Sequence, residues 1–263
     1  MRATSRGVGE LVGHAVAEGA RTIVVGLGGS ATNDGGAGML AALGAVPESA
    51  LDAGGAALAS LPGPVDLAPA RRAVEGVRLV AATDVDNPLL GLHGASAVFG
   101  PQKGADDDQV QRLDAALTAF ADATDPSSAL RDSPGAGAAG GLGYGLLLLG
   151  GAVESGVARI LSAVDLAAKA ASADLLITGE GSFDSQSLRG KLPHGVARTA
   201  AEHGVPCVVT AGVVSVGRQE VAAAGITETY SLVESAGSVE AALTNSAEEL
   251  RKLAADVARR WHR

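Results

Sequence analysis

Carboxylates, short hydroxyls and amides gather in three glycine-rich segments of the chain, and each segment follows an apolar run of strand length. The first is GLGGSATNDGG, Gly26 to Gly36. Gly28 and Gly29 would let backbone N–H groups approach an anion, and Ser30, Thr32 and Asn33 add short donors just ahead of a predicted helix N-terminus. The same residues also describe a tight strand-to-helix turn with Asp34 as its N-cap. Gly26-x-Gly28-x-x-Ala31 fits a dinucleotide fingerprint, but no strand ends in an acidic residue placed to hold a ribose, and Gly-Lys-Ser/Thr of a Walker A loop is missing.

The second segment is TDVDNPLLGLHGASAVFGPQKGA, Thr83 to Ala105. Asp84 and Asp86 alternate at a predicted strand end and lead into Asn87-Pro88. Two carboxylates there could hold Mg²⁺, which takes one or two carboxylates plus waters and substrate phosphates, or one could accept a hydroxyl proton. Turn-forming residues ahead of a proline are the other reading. Lys103 offers either a cation for a phosphate or carboxylate, or a solvated surface charge.

The third, ITGEGSFDSQSLRGKLPHGVARTA, runs from Ile177 to Ala200. It carries Glu180 within Gly-Glu-Gly, then Asp184, Ser185, Gln186 and Ser187, then Gly190-Lys191, with a helix expected near Pro193. One loop would thus present an acid, hydroxyls, an ammonium and a helix N-terminus. His194 reads as a helix-start residue lining the same cleft, because the five histidines nowhere show metal-ligand spacing. Without a Gly-x-Ser-x-Gly elbow or a Cys/His pair, nucleophilic hydrolysis has no support.

The elements that must position these segments alternate. A helical pattern over Gly7 to Ala20 puts Leu11, Val12, Ala15 and Val16 on one face. Strands are predicted at TIVVGL, VRLVAAT, DLLITG, PCVVTAG and TETYSLV, and helices over Asp108 to Ala123, Arg159 to Ala171, Gly195 to His203 and Val239 to Trp261. This order predicts an α/β fold with parallel sheets covered on both faces. In such sheets ligands bind beyond the carboxyl ends of the strands, where all three segments fall. Ala45 to Arg71 and Asp122 to Gly141 lack periodicity and read as loops or short irregular elements. A change of character near Ser162 to Ala173 divides the chain into domains 1–165 and 166–263.

Composition sets outer bounds. Hydrophobic residues make up 47% of 263 residues but aromatics only 2%, so small aliphatic side chains and closely approaching backbone must fill the core; 37 glycines fit that demand. A formal charge of −9 without a basic cluster argues against nucleic acid as a partner. Cys207, the single cysteine, lies in an apolar run and reads as a small buried hydrophobe. No apolar stretch reaches the ~20 residues of a membrane span, so no membrane partner is expected and the cytoplasm is the default location.

Taken together, GLGGSATNDGGAG, DVDNPLLGLHGASAVFGPQKGA, PGAGAAGGLGYG and ITGEGSFDSQSLRGKLPHGVA, in this order, resemble the bacterial glycerate kinase family of the 2-phosphoglycerate-forming type. The resemblance runs from about Thr4 to the C-terminus. It implies two α/β domains with a cleft between them: the C-terminal part of a Rossmann-like domain at 166–263 and a second α/β domain at 1–165. It also implies ATP and Mg²⁺ as cofactors, D-glycerate as substrate, and phosphoryl transfer from ATP to a glycerate hydroxyl.

The resemblance carries Gly28, Gly29, Ser30, Thr32, Asn33 and Asp34 over as cleft residues, with Asp84, Asp86 and Asn87 from the second segment. From the third come Glu180, Asp184, Ser185, Lys191 and His194. Asp84 or Asp86 would take Mg²⁺ or the hydroxyl proton, Lys191 the transferring phosphate, and Lys103 an anionic group. The chain departs from the family pattern where Ser182 and Phe183 replace Arg-Ile, and at its start, where APDS-like and ADGGEG-like motifs are not found. Such a chain would be a family member lacking its N-terminal segment, with unpaired sheet edges that favour association of copies. The alternative is a catalytically incomplete anion- or nucleotide-binding remnant.

Overall fold

The computed structural model describes residues 1–185, 187–188 and 191–262; Gln186 and Gly190, both within the third segment, Arg189 and Arg263 lie outside the described residues. The chain divides into two compact units, Met1–Gly156 and Val157–Arg263. Each carries its own three-stranded parallel sheet.

In the first unit the strands are β1 (Thr22–Gly26), β2 (Arg78–Ala82) and β3 (Ala152–Glu154), with β2 in the middle. Ile23 pairs with Leu79, and Val80 with Ala152. The short β3 follows an apolar run whose leucines give no strand alternation, and the sequence expectation missed it. The central strand is buried along four of its five residues, whereas β1 alternates and leaves Val24 49% exposed. The expectation of sheets covered on both faces therefore holds for the middle strand and fails at this edge, where every second side chain points away from the helices.

Helices Arg6–Ala17, Ala37–Ala42, Asp107–Thr124 and Ala138–Leu148 supply about half of the core around that sheet. Asp107–Thr124 starts on a capping box: Asp106 accepts from the Gln109 N–H at 2.8 Å, and the Gln109 side chain accepts from the Asp106 N–H at 3.3 Å. Its Phe120 meets Tyr144 edge to face, ring centres 6.0 Å apart at 79°, and both rings are fully buried. Burial pushes the Tyr144 hydroxyl up to about 12, partly offset by its hydrogen bond with Thr124.

The motif PGAGAAGGLGYG becomes the start of helix Ala138–Leu148, with Ala139, Gly140 and Gly141 in the left-handed region. This turn lays backbone against backbone: the Gly35 N–H donates to the Gly140 carbonyl at 3.0 Å. A Cβ on Gly140, whose φ is +70°, would sit 2.0 Å from the Thr32 carbonyl oxygen. The stretch Asp122 to Gly141 is expected to be irregular, and from Asp125 to Gly141 it largely is: regular helical backbone resumes only after the left-handed Ala139, Gly140 and Gly141, where glycine permits the close contact.

In the second unit β4 (Leu176–Phe183), β5 (Cys207–Val214) and β6 (Glu228–Ser231) pair in that order. The edge strand β4 again alternates, leaving Ile177 57% exposed. Phe183, Val196, Ala200, Cys207, Val209 and Ile226 form the core, using the inner face of helix Leu192–Glu202. The helical patterns predicted over Arg159 to Ala171 and Val239 to Trp261 are each broken in two, into Gly156–Ala163 and Leu166–Ala171, and into Val239–Thr244 and Ser246–Trp261. The left-handed Asp165 and the non-helical Asn245 make the breaks.

Two outcomes follow from this packing. Gly140→Ala adds left-handed strain of about 1–2 kcal/mol to a steric conflict of about 1–3 kcal/mol. Gly104→Ala, at φ +85° with open space around it, adds the strain alone. Urea denaturation midpoints should separate the two variants clearly, and equal losses would mean that the close approach imposes no constraint. Second, burial pushes the Cys207 thiol up to about 11. A disulfide-exchange reagent at pH 8 should leave it unmodified in the native protein and titrate one thiol after unfolding.

Candidate active site

Parallel strands release their loops on one side of the sheet. In the first unit the exits stay laced together: the Leu27 N–H donates to the Ala82 carbonyl and the Thr83 N–H to the Glu154 carbonyl, each at 2.9 Å. The segments after β1 and β2 are thereby neighbours, as their shared position in the α/β pattern demanded.

The first segment has two halves with different tasks. Gly28, Gly29 and Ser30 line a cavity of about 460 Å³. Lys103 and Gln102 lie on its wall, as do Leu27, Val85, Phe99 and Ala139. The second half turns inward. Asp34 is fully buried and accepts four hydrogen bonds: from the Ser5 N–H at 2.7 Å, the Ser5 hydroxyl at 2.8 Å, and the Gly36 and Gly38 N–H groups at 3.2 Å. Its carboxylate thus secures the first turn of helix Ala37–Ala42 and the N-terminal stretch, and it does not line the cavity. Asn33 is also buried; its side-chain N–H donates to Ser96 Oγ at 2.9 Å, while its Oδ1 has no hydrogen-bond partner.

Thr32 joins the halves. Its carbonyl accepts from Lys103 Nζ at 2.7 Å, so this lysine is a half-buried strut and not a solvated surface charge. Desolvation lowers the Lys103 pKa, and the negative charge of Asp34 opposes that shift.

At the end of β2, Asp84, Val85 and Asp86 form an exposed turn. Asp84 Oδ1 accepts from the Ser155 hydroxyl at 2.7 Å, which links the carboxyl ends of β2 and β3. Asn87 is spent on the loop: its side chain donates to the His93 carbonyl at 2.8 Å, and its carbonyl accepts from the Gly137 N–H at 2.9 Å. Among the described residues no group of three or more His, Cys, Asp and Glu could enclose a metal ion. A carboxylate pair still suits Mg²⁺, which keeps waters and substrate oxygens in most of its positions.

In the second unit the expected loop begins later. Gly-Glu-Gly belongs to β4, with Glu180 paired to Ala211, and the strand continues to the buried Phe183. Glycine reads as a breaker in sequence, yet here it permits approach, since a Cβ on Gly179 would lie 2.3 Å from the Thr210 carbonyl. After Phe183, Asp184 Oδ1 accepts from the Ser187 N–H at 3.1 Å, with Ser185 exposed in the turn. Lys191 Nζ lies 3.9 Å from Asp184 Oδ1 and precedes helix Leu192–Glu202, whose first turn holds Pro193 and His194. The Oε1 of Glu180 and the Nδ1 of His194 are buried without hydrogen-bond partners.

A profile of the glycerate kinase family matches residues 1–262. The chain belongs to this family. Among its glycerate kinase relatives, the protein named glycerate kinase in Bacillus subtilis (strain 168) is 44% identical over 262 residues, covering 97% of this chain and 68% of the relative. Glycerate 2-kinase of Escherichia coli (strain K12) is 38% identical over 262 residues, with 97% and 68% covered. A crystal structure from Salmonella typhimurium LT2, provisionally named glycerate kinase 2, aligns with a TM-score of 0.76 at 39% identity, covering 98% of this chain and 70% of that one. The chain therefore spans about two thirds of the length of these glycerate kinase relatives.

Sequence reasoning missed Ser5, Ser96 and Ser155, which act through distant partners, and Val85, Phe99, Gln102 and Ala139 on the cavity wall. Only Phe99 carried a usable signal, as an aromatic in a chain almost without them.

The split between structural and exposed carboxylates has a direct consequence. Asp34→Asn removes charge from four hydrogen bonds and should cost about 1.5–3 kcal/mol in chemical denaturation. Asp86→Asn, on the exposed turn, should stay within about 0.5 kcal/mol. Equal stabilities would remove the structural role given to Asp34.

Proposed function

We propose that this chain carries the ATP-dependent phosphorylation of D-glycerate to phosphoglycerate, with 2-phosphoglycerate the favoured product, in the cytoplasm. The observation that carries this reading is the glycerate kinase family match across residues 1–262. The geometry supports it: an acidic turn and a glycine-lined cavity with a lysine on its wall lie at the carboxyl end of one parallel sheet.

In-line phosphoryl transfer asks mainly for positioning and charge neutralisation. Gly28, Gly29 and Ser30 present N–H and hydroxyl donors to phosphate oxygens, and Lys103 adds positive charge already fixed by Thr32. Asp84 would hold Mg²⁺, oriented by the Ser155 hydroxyl; the ion supplies neutralisation of the phosphate oxygens. Asp86 accepts the proton of the attacking glycerate hydroxyl. For the second unit, Lys191, 3.9 Å from Asp184, is the candidate to balance phosphoryl charge, and Glu180, Ser185 and His194 are candidate ligand contacts. Thr32 and Asn33 position the loop, and Asn87 its neighbour.

In a coupled assay for ATP-dependent glycerate phosphorylation, Asp86→Asn should lower kcat by about 10²–10⁴-fold with a much smaller change in KM. Unchanged turnover would remove Asp86 as the base. Nucleotide or glycerate binding without product in the parent chain would instead favour a binding-only protein.

A further inference from the structure

Within the glycerate kinase reading, the cavity at Gly28–Ser30 has two candidate occupants, the three-carbon acid and the nucleotide. We propose that it takes the nucleotide, and that Phe99 is the surface on which the base stacks.

Size is the first argument. The cavity measures about 460 Å³, within the ~300–1,000 Å³ of sites that enclose drug-sized ligands. A three-carbon hydroxy acid would leave most of it empty.

The lining is the second. Leu27, Val85 and Phe99 give it apolar surface, while Gly28, Ser30 and Lys103 give it donors and a positive charge. Glycerate is polar at every carbon and has no face to set against a phenyl ring. A nucleoside phosphate has both parts, a flat base and an anionic tail.

The third argument is the scarcity of aromatic residues. The chain has three phenylalanines, two tyrosines and one tryptophan. Phe120, Tyr144 and Phe183 are fully buried in the two cores. Tyr230 lines a cavity of about 690 Å³ in the second unit, but its hydroxyl accepts from Trp261 Nε1 and its ring already lies under the Arg260 guanidinium. Phe99 is half-buried on the wall of the cavity at Gly28–Ser30, beside Val85, which is 38% exposed. Apolar surface left uncovered gains from a ligand that covers it, and base–aromatic stacking is sequence-tolerant and strong enough to register in affinity.

Calorimetric titration of the intact chain with ADP, inorganic tripolyphosphate and D-glycerate tests the assignment. Phe99→Ala should weaken ADP about tenfold or more, leave tripolyphosphate and D-glycerate within twofold, and be rescued by Phe99→Tyr. Loss of D-glycerate binding with ADP unchanged, or no effect on either, overturns the assignment while leaving the kinase reading intact. A parent chain that binds neither ADP nor D-glycerate overturns both. If Phe99→Ala does not fold, amide exchange of the parent chain decides: ADP should slow exchange at 28–30 and 99–103, and protection there by D-glycerate alone overturns the proposal.

Discussion

A single buried carboxylate organises the first unit. Removing a charged group from water costs several kcal/mol unless donors replace the lost hydration. Asp34 meets that demand with four donors from two distant stretches, Ser5 on one side and Gly36 and Gly38 on the other. The arrangement is self-reinforcing, because the Ser5 hydroxyl that donates to Asp34 also accepts from the Met39 N–H at 3.0 Å. Helix Ala37–Ala42 and the N-terminal stretch are thus held by one centre. With the rear of the segment secured, Gly28 to Ser30 can face the cavity without carrying the structural load.

The second constraint is the shortage of large side chains. A core poor in aromatics must close its volume by bringing backbone together, which explains why the Gly140 turn lies against Thr32 and Gly35. The cost is a left-handed run that includes a non-glycine residue, Ala139, at φ +53°. Ala139 is also on the cavity wall, so the strained turn and the binding surface are one object.

Legibility followed the range of the interaction. Strands β1, β2, β4, β5 and β6 could be placed from apolar runs, because burial of a short β-branched stretch is a local signal. The extension of β4 through Gly-Glu-Gly-Ser-Phe could not, since its pairing with β5 depends on close approach thirty residues away in sequence. The first segment illustrates both outcomes at once. Anion cradle and a turn capped by Asp34 look like competing accounts of Gly26 to Gly36; in the structure Gly28 to Ser30 line a cavity, whereas the N-cap is Gly36 and Asp34, two residues earlier, accepts from the Gly36 and Gly38 N–H groups. Lys103 was legible as a cation but not as a strut, because nothing local marks the Thr32 carbonyl as its partner.

On the proposed reading, a chain of formal charge −9 must build positive potential locally to hold a polyphosphate. Lys103 does so from a half-buried position, where charge is less screened than at the surface. Left to itself, desolvation would favour loss of its proton; the Asp34 charge counters that, and the Thr32 carbonyl fixes the ammonium's place. The same carboxylate that anchors the fold therefore also helps keep the cavity's cation charged. A positive group held in place before the ligand arrives needs no reorganisation when phosphate oxygens approach, which is the condition under which electrostatic stabilisation is largest.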